Sequence, residues 1–183
     1  MRSTILAGVV MALAIGVSGC TKPPGIGTSP SAAAERQLTF DPNLRLKWPG
    51  PPSEDSQLLN NEVGEQKHYS ATFTDKRPEG VVIFSAFVDE YPADAVKQAD
   101  PEELLTATVF AFKADEVSQK KFAHGPQKYP GFDILSQSDG KFDRKLVVVA
   151  GRRVYHIAVT STKEEWLKAP EVQAFFDSLS LDK

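Results

Sequence analysis

The stretch from Phe142 to Thr160 constrains the fold most, because it sets two apolar runs, Phe142–Ala150 and Arg153–Thr160, on either side of Ala150-Gly151-Arg152. Two such runs around a short glycine turn predict an antiparallel hairpin. In its second strand Tyr155, Ile157 and Val159 fall on one face and His156, Ala158 and Thr160 on the other, since successive strand side chains point oppositely. A chain built on this hairpin is expected to form an antiparallel sheet with at least one covered face.

Other segments extend that sheet. Leu38, Phe40, Leu44, Leu46 and Trp48 keep an approximate period of two and end at Pro49-Gly50-Pro51-Pro52, a strong breaker cluster. Gln57 to Val63 and Gln66 to Phe73, joined around Gly64, suggest a second strand pair. Val81–Val88 is nearly continuous in apolar residues, the pattern of a central strand covered on both faces. Val117–Phe122 and Phe132–Leu135 read as short strands, with His124-Gly125-Pro126 and Tyr129-Pro130-Gly131 as loop punctuation.

Two helices complete the pattern. Asp100 is a suitable N-cap, Pro101 suits the first helical position, and Glu103 stands where it can close a capping box. Leu104, Leu105, Thr108, Val109 and Phe112 then share one face. Pro170 opens a final helix in which Val172, Phe175, Phe176 and Leu179 form one apolar stripe. The fold class expected is α+β: an antiparallel β-sheet with a middle helix and a C-terminal helix packed against it.

The start of the chain reads differently. Arg2 precedes an uncharged apolar run, Ile5–Val17, that is 13 residues long. Crossing a membrane takes ~20 apolar residues, so this run fits the core of a signal peptide. It ends at Val17-Ser18-Gly19-Cys20, which resembles the lipobox of bacterial lipoproteins. Cys20 is the sole cysteine, whereas structural thiols in a secreted domain come in pairs. The resemblance implies a thioether-linked diacylglycerol on Cys20 and an acylated amine, an anchor of palmitate type. Two or more chains hold a protein firmly to a membrane where one holds it marginally. Residues 1–19 are thus expected to be a signal peptide, 20–36 a flexible tether rich in Pro, Gly, Ser and Ala, and 37–183 a single α+β domain. Thr21 after the lipidated cysteine implies outer-membrane delivery in an organism with two membranes.

Composition narrows the function by exclusion. A formal net charge of −3 gives no electrostatic footprint for nucleic acid. His68, His124 and His156 are too widely spaced for a local metal motif, and neither HExxH nor CxxC is present. His68 and His156 both sit on expected strands, where a meeting across the sheet competes with plain structural roles. No G-x-S-x-G elbow surrounds Ser70, Ser85, Ser136 or Ser161, and no phosphate-binding glycine loop occurs. The acidic group Asp89, Glu90, Asp94, Asp100, Glu102 and Glu103 matches no calcium-loop spacing and reads as caps and solvated surface. Lys120-Lys121 and Arg152-Arg153 read as solvated turns or as contacts to lipid headgroups or an acidic partner.

The order of these features carries a resemblance. An early strand closing on Pro49-Gly50, a capped middle helix, Tyr129-Pro130-Gly131-Phe132, Gly151-Arg152-Arg153-Val154-Tyr155 and Ala174-Phe175-Phe176-Asp177-Ser178-Leu179 together resemble the PsbP-like domains of bacterial lipoproteins. That resemblance covers residues 37–183 and implies an accessory or binding role without a shared active site. The expected function is therefore a non-enzymatic module of the cell envelope, held to membrane lipid through Cys20 and presenting its domain to an envelope protein or small ligand. No catalytic, cofactor or metal residues are expected. The alternatives are an enzyme whose site is assembled from scattered residues such as His156, Tyr155 and nearby carboxylates, or a purely structural envelope protein.

Overall fold

The computed structural model describes residues 34–38, 41, 43–61, 64–96, 100–110 and 116–181. Cys20 and the signal, together with Phe40 and Phe112, lie outside the described residues. The architecture is α+β and dominated by antiparallel strands.

Strands β1 (Ala34–Gln37) and β2 (Leu44–Trp48) pair with each other, and the short C-terminal β10 (Ser180–Leu181) joins β2 on its other side. The first residues of β1 fall within the segment read from sequence as a tether. A larger sheet contains β3 (Ser53–Asn61), β4 (Gly64–Arg77), β5 (Gly80–Glu90), β6 (Glu116–His124), β7 (Tyr129–Ser138), β8 (Lys141–Ala150) and β9 (Arg153–Ser161). Its order is β3-β4-β5-β9-β8-β7-β6, every pair antiparallel. The β8–β9 hairpin lies where the sequence places it, with Ala150 opposite Arg153 around Gly151.

Two expectations need correction. Tyr129-Pro130-Gly131 is not loop but the first part of β7, paired with His124, Ala123 and Phe122 of β6. Nor is β5 fully covered on both faces. Val82, Phe84, Ala86 and Val88 are buried on one side, whereas Ile83 and Phe87 on the other are only partly so.

Helix α1 (Ala93–Val96) is a single turn that the sequence did not announce, and α2 (Pro101–Phe110) follows it. Asp100 caps α2 as expected, its Oδ1 accepting the Glu102 N–H at 2.9 Å. Leu105, Thr108 and Val109 are buried where α2 meets the sheet. With Ile134, Val147, Val149 and Val154, Leu105 and Val109 form a small core on that face.

The opposite face supports the larger core. A 3-10 helix (Glu164–Lys168) leads into α3 (Pro170–Asp177), whose Val172, Phe175 and Phe176 are buried. Phe175 stands at the centre, its ring edge-on to Trp48 at 5.0 Å and to Phe84 at 5.3 Å. Such aromatic pairs add about 0.5–1.5 kcal/mol beyond area burial. Tyr155, Ile157 and Val159 of β9 belong to this core, as the alternation predicts. Among the described residues no helix is long and apolar enough to cross a membrane.

Candidate functional site

Two places collect chemistry, one on each face of the large sheet. On the face of the larger core, strands β6, β7 and β8 continue past the cover supplied by α3 and the 3-10 helix, and leave a groove of about 410 Å³. Its apolar wall comes from Val117 of β6, Leu135 of β7, Phe142 of β8 and Leu167 of the 3-10 helix. Val117 and Leu135 are 67% and 38% exposed. Exposed apolar groups gathered along one concavity mark a binding surface more than scattered ones do.

Arg144 fixes the groove's polar side. Its Nη2 and Nε donate to the two oxygens of Asp133 at 2.9 and 3.2 Å, and its Nη1 donates to Gln173 Oε1 at 3.2 Å. The guanidinium also lies over the Phe176 ring at 4.6 Å. Gln173 in turn donates from Nε2 to the Leu167 carbonyl at 3.3 Å, so one chain of contacts ties β7, β8, α3 and the 3-10 helix together. A fork-on-fork Arg–carboxylate pair with a stacked ring has little freedom left. The groove is therefore largely pre-formed. Lys120 and Lys168 stand at its rim, Lys168 paired with Glu164 at 3.0 Å.

The other face holds a polar cluster in which His156 is buried and His68 and Asp89 are partly so. His68 of β4 lies opposite Asp89 of β5 in register, and His68 Nδ1 contacts Asp89 Oδ1 at 2.7 Å. His156 of β9 approaches the second oxygen through Nε2 at 3.4 Å. The His68 ring stacks on Phe87 at 5.9 Å. Burial alone would raise the Asp89 pKa, but hydrogen bonds from His156 and His68 hold it far below the usual carboxylate range. Burial lowers the pKa of His156, with Asp89 opposing and Lys145 and His68 adding to the depression. Lys145, on the same face, is also lowered by burial, with Asp143 opposing. Tyr91 is pushed up to about 12 by burial and by the charge of Asp89. One carboxylate thus serves two imidazoles across three strands.

The remaining candidates disperse. His124 lies on the edge strand β6 beside Phe122, its pKa lowered by burial. Tyr155 and His156 point to opposite faces, so they do not share a site. Burial and the nearby Asp41 raise the Tyr155 pKa. Of the acidic group, Asp89 bonds histidines, Glu90 accepts from Arg152 and Arg153 at 2.7 and 2.8 Å, and Glu102 pairs with Lys121. Arg153 further reaches buried Asp41 at 3.0 Å, which fastens the hairpin to the segment before β2. The Arg152-Arg153 pair is therefore engaged within the chain. Ser161 is buried at the end of β9 and bonded to Lys163, Ser85 is buried in β5, and Ser136 lines the groove. Among the described residues no group of three His, Cys, Asp or Glu side chains is arranged to hold a metal ion.

Sequence reasoning missed Asp89 as a shared partner and Arg144 as the groove's fixed point. The signal for the first was present in part, since alternation puts His156 on the face away from Tyr155. No family model matches the sequence, and no curated protein matches it.

Proposed function

We propose that the chain is an extracytoplasmic lipoprotein, anchored through acyl chains on Cys20, whose domain acts as a non-enzymatic binding module of the cell envelope. The observation that supports this reading best is the pre-formed groove between β6–β8 and the 3-10 helix, apolar in its walls and held open by Arg144. Pockets that are mostly apolar with a few fixed polar groups are the usual form of binding sites. The sheet covered by a middle and a C-terminal helix, with the β8–β9 hairpin quoted above, is what suggests a PsbP-like domain, and with it an accessory role beside another envelope component. The His68–Asp89–His156 cluster, in which only His156 is fully buried, is on this reading structural.

Both halves are open to test. Full-length protein should take up labelled fatty acid, and Cys20→Ser should lose the label and leave the membrane fraction; label retained by Cys20→Ser would reject the anchor. For the groove, 1-anilinonaphthalene-8-sulfonate should brighten on the folded protein and Leu135→Arg should remove that signal. Turnover in a hydrolase screen that disappears on changing a groove residue would replace the binding module with an enzyme.

A further inference from the structure

Six charged side chains border the groove: Lys120, Asp133, Asp143, Arg144, Glu164 and Lys168. Arg144 holds Asp133, and Lys168 holds Glu164. Asp143 stands opposite Thr160 and turns with it to the other face of the sheet, where it accepts the Thr160 hydroxyl and opposes the depression of the Lys145 pKa. Lys120 faces Asp133 in the β6–β7 register, but Arg144 draws on both oxygens of that carboxylate. Among the described residues Lys120 is thus the cation of the groove left without a counter-charge.

Apolar walls lie beside that charge. Val117, Leu135 and Leu167 are branched aliphatic side chains, suited to contact along a hydrocarbon chain. The volume of about 410 Å³ falls within the range of about 300–1,000 Å³ that small-molecule sites occupy. A peptide fits the same space poorly, because its own N–H and C=O groups would need partners there. The backbone groups between β6, β7 and β8 are spent on the sheet, and the outer edge of β6 is interrupted by a register shift between Glu116 and Ser118 and carries Lys120 and Lys121. Bulges and charges of this kind discourage an added strand.

We propose that the groove takes a single-chain amphiphile with one negative charge on its head, of which a fatty carboxylate is the simplest form. The inference rests on the groove being a binding site and names the class of ligand. The chain lies along Val117, Leu135 and Leu167, and the head meets the ammonium of Lys120. Lys120 is exposed at the rim, so the head keeps part of its water and the pair forms without burying a charge. A cationic head is repelled at the same place, and a neutral one leaves Lys120 unanswered. Because Arg144 and Lys168 already hold carboxylates, the site offers one positive charge and suits a monoanion.

The test uses the full chain in nanodiscs of phosphatidylcholine, a surface without net charge, at a pH that keeps the acid ionised. Dodecanoate and dodecanol, each with a diazirine on the chain, are illuminated with the protein and the labelled peptides are mapped by mass spectrometry. Dodecanoate should label the β6 and β7 segments around Val117 and Leu135, and Leu135→Arg should remove that label. Lys120→Gln should lower the dodecanoate label roughly three- to fivefold, the scale of one ion pair at a rim, and Lys120→Arg should restore it. Dodecanol should label weakly, and equally in wild type and both Lys120 variants. Circular dichroism of each variant checks that the fold is intact. Equal labelling by acid and alcohol, or an acid label unmoved by Lys120→Gln, overturns the proposal and leaves the groove a binding surface. No label from either probe overturns it as well, and the groove reading is then decided separately by the 1-anilinonaphthalene-8-sulfonate signal and its loss in Leu135→Arg.

Discussion

At the scale of residues, His156 makes the fold sensitive to acid. Its folded pKa lies below the ordinary 6.5, because burial, Lys145 and His68 disfavour the imidazolium more than Asp89 favours it. Between those two values the unfolded chain binds a proton that the folded chain resists. The contribution is therefore complete above about pH 6.5 and falls away as pH drops toward the folded value. Asp89, also depressed, adds a second loss starting below its ordinary 3.8. Urea midpoints measured across this range should decline for wild type, and His156→Gln should flatten the upper part of the decline. An unchanged slope in the variant would remove His156 from the cause. Little of this cluster was legible beforehand. His68 and Asp89 are brought together by the β4–β5 register, which no local pattern specifies. Gly131 was misread for a related reason: its glycine serves close packing, since a Cβ there would come within 2.8 Å of both the Phe122 ring and the Val147 carbonyl oxygen.

At the scale of elements, legibility followed local chemistry. The capped start of α2, the stripe of α3 and the β8–β9 hairpin were readable because caps, helical spacing and strand alternation act within a few residues. Asp139-Gly140 offered the same kind of signal for the β7–β8 turn, both residues having positive φ, at 49° and 71°. It is the pattern that a tight hairpin turn favours. Two substitutions separate local from tertiary contributions. Asp100→Ala should cost ~1 kcal/mol through the lost cap. Phe175→Ala should cost about 3–5 kcal/mol, because the ring fills the space between Trp48, Phe84 and Phe176. Equilibrium unfolding of both variants checks the ranking; equal losses would mean that α3 contributes little beyond its own helix.

At the scale of the whole molecule, the cover on the sheet and the place it stops are the features that matter. Helix α3 and the 3-10 helix bury the centre of one face and end short of β6 and β7, and the uncovered strip becomes the groove. Sequence could not have located it, since Asp133, Arg144 and Gln173 come from separate elements and meet only when the strands are in order. The central claim is that this groove holds a ligand or partner in the envelope. The most direct measurement places a photo-reactive amino acid at Val117, on the groove's exposed rim, in cells making the full chain, with Lys128 in the β6–β7 turn as the comparison site. Mass spectrometry after illumination should find a discrete adduct at position 117 and none of that mass at 128. The same products at both positions, or none at 117, would contradict the account.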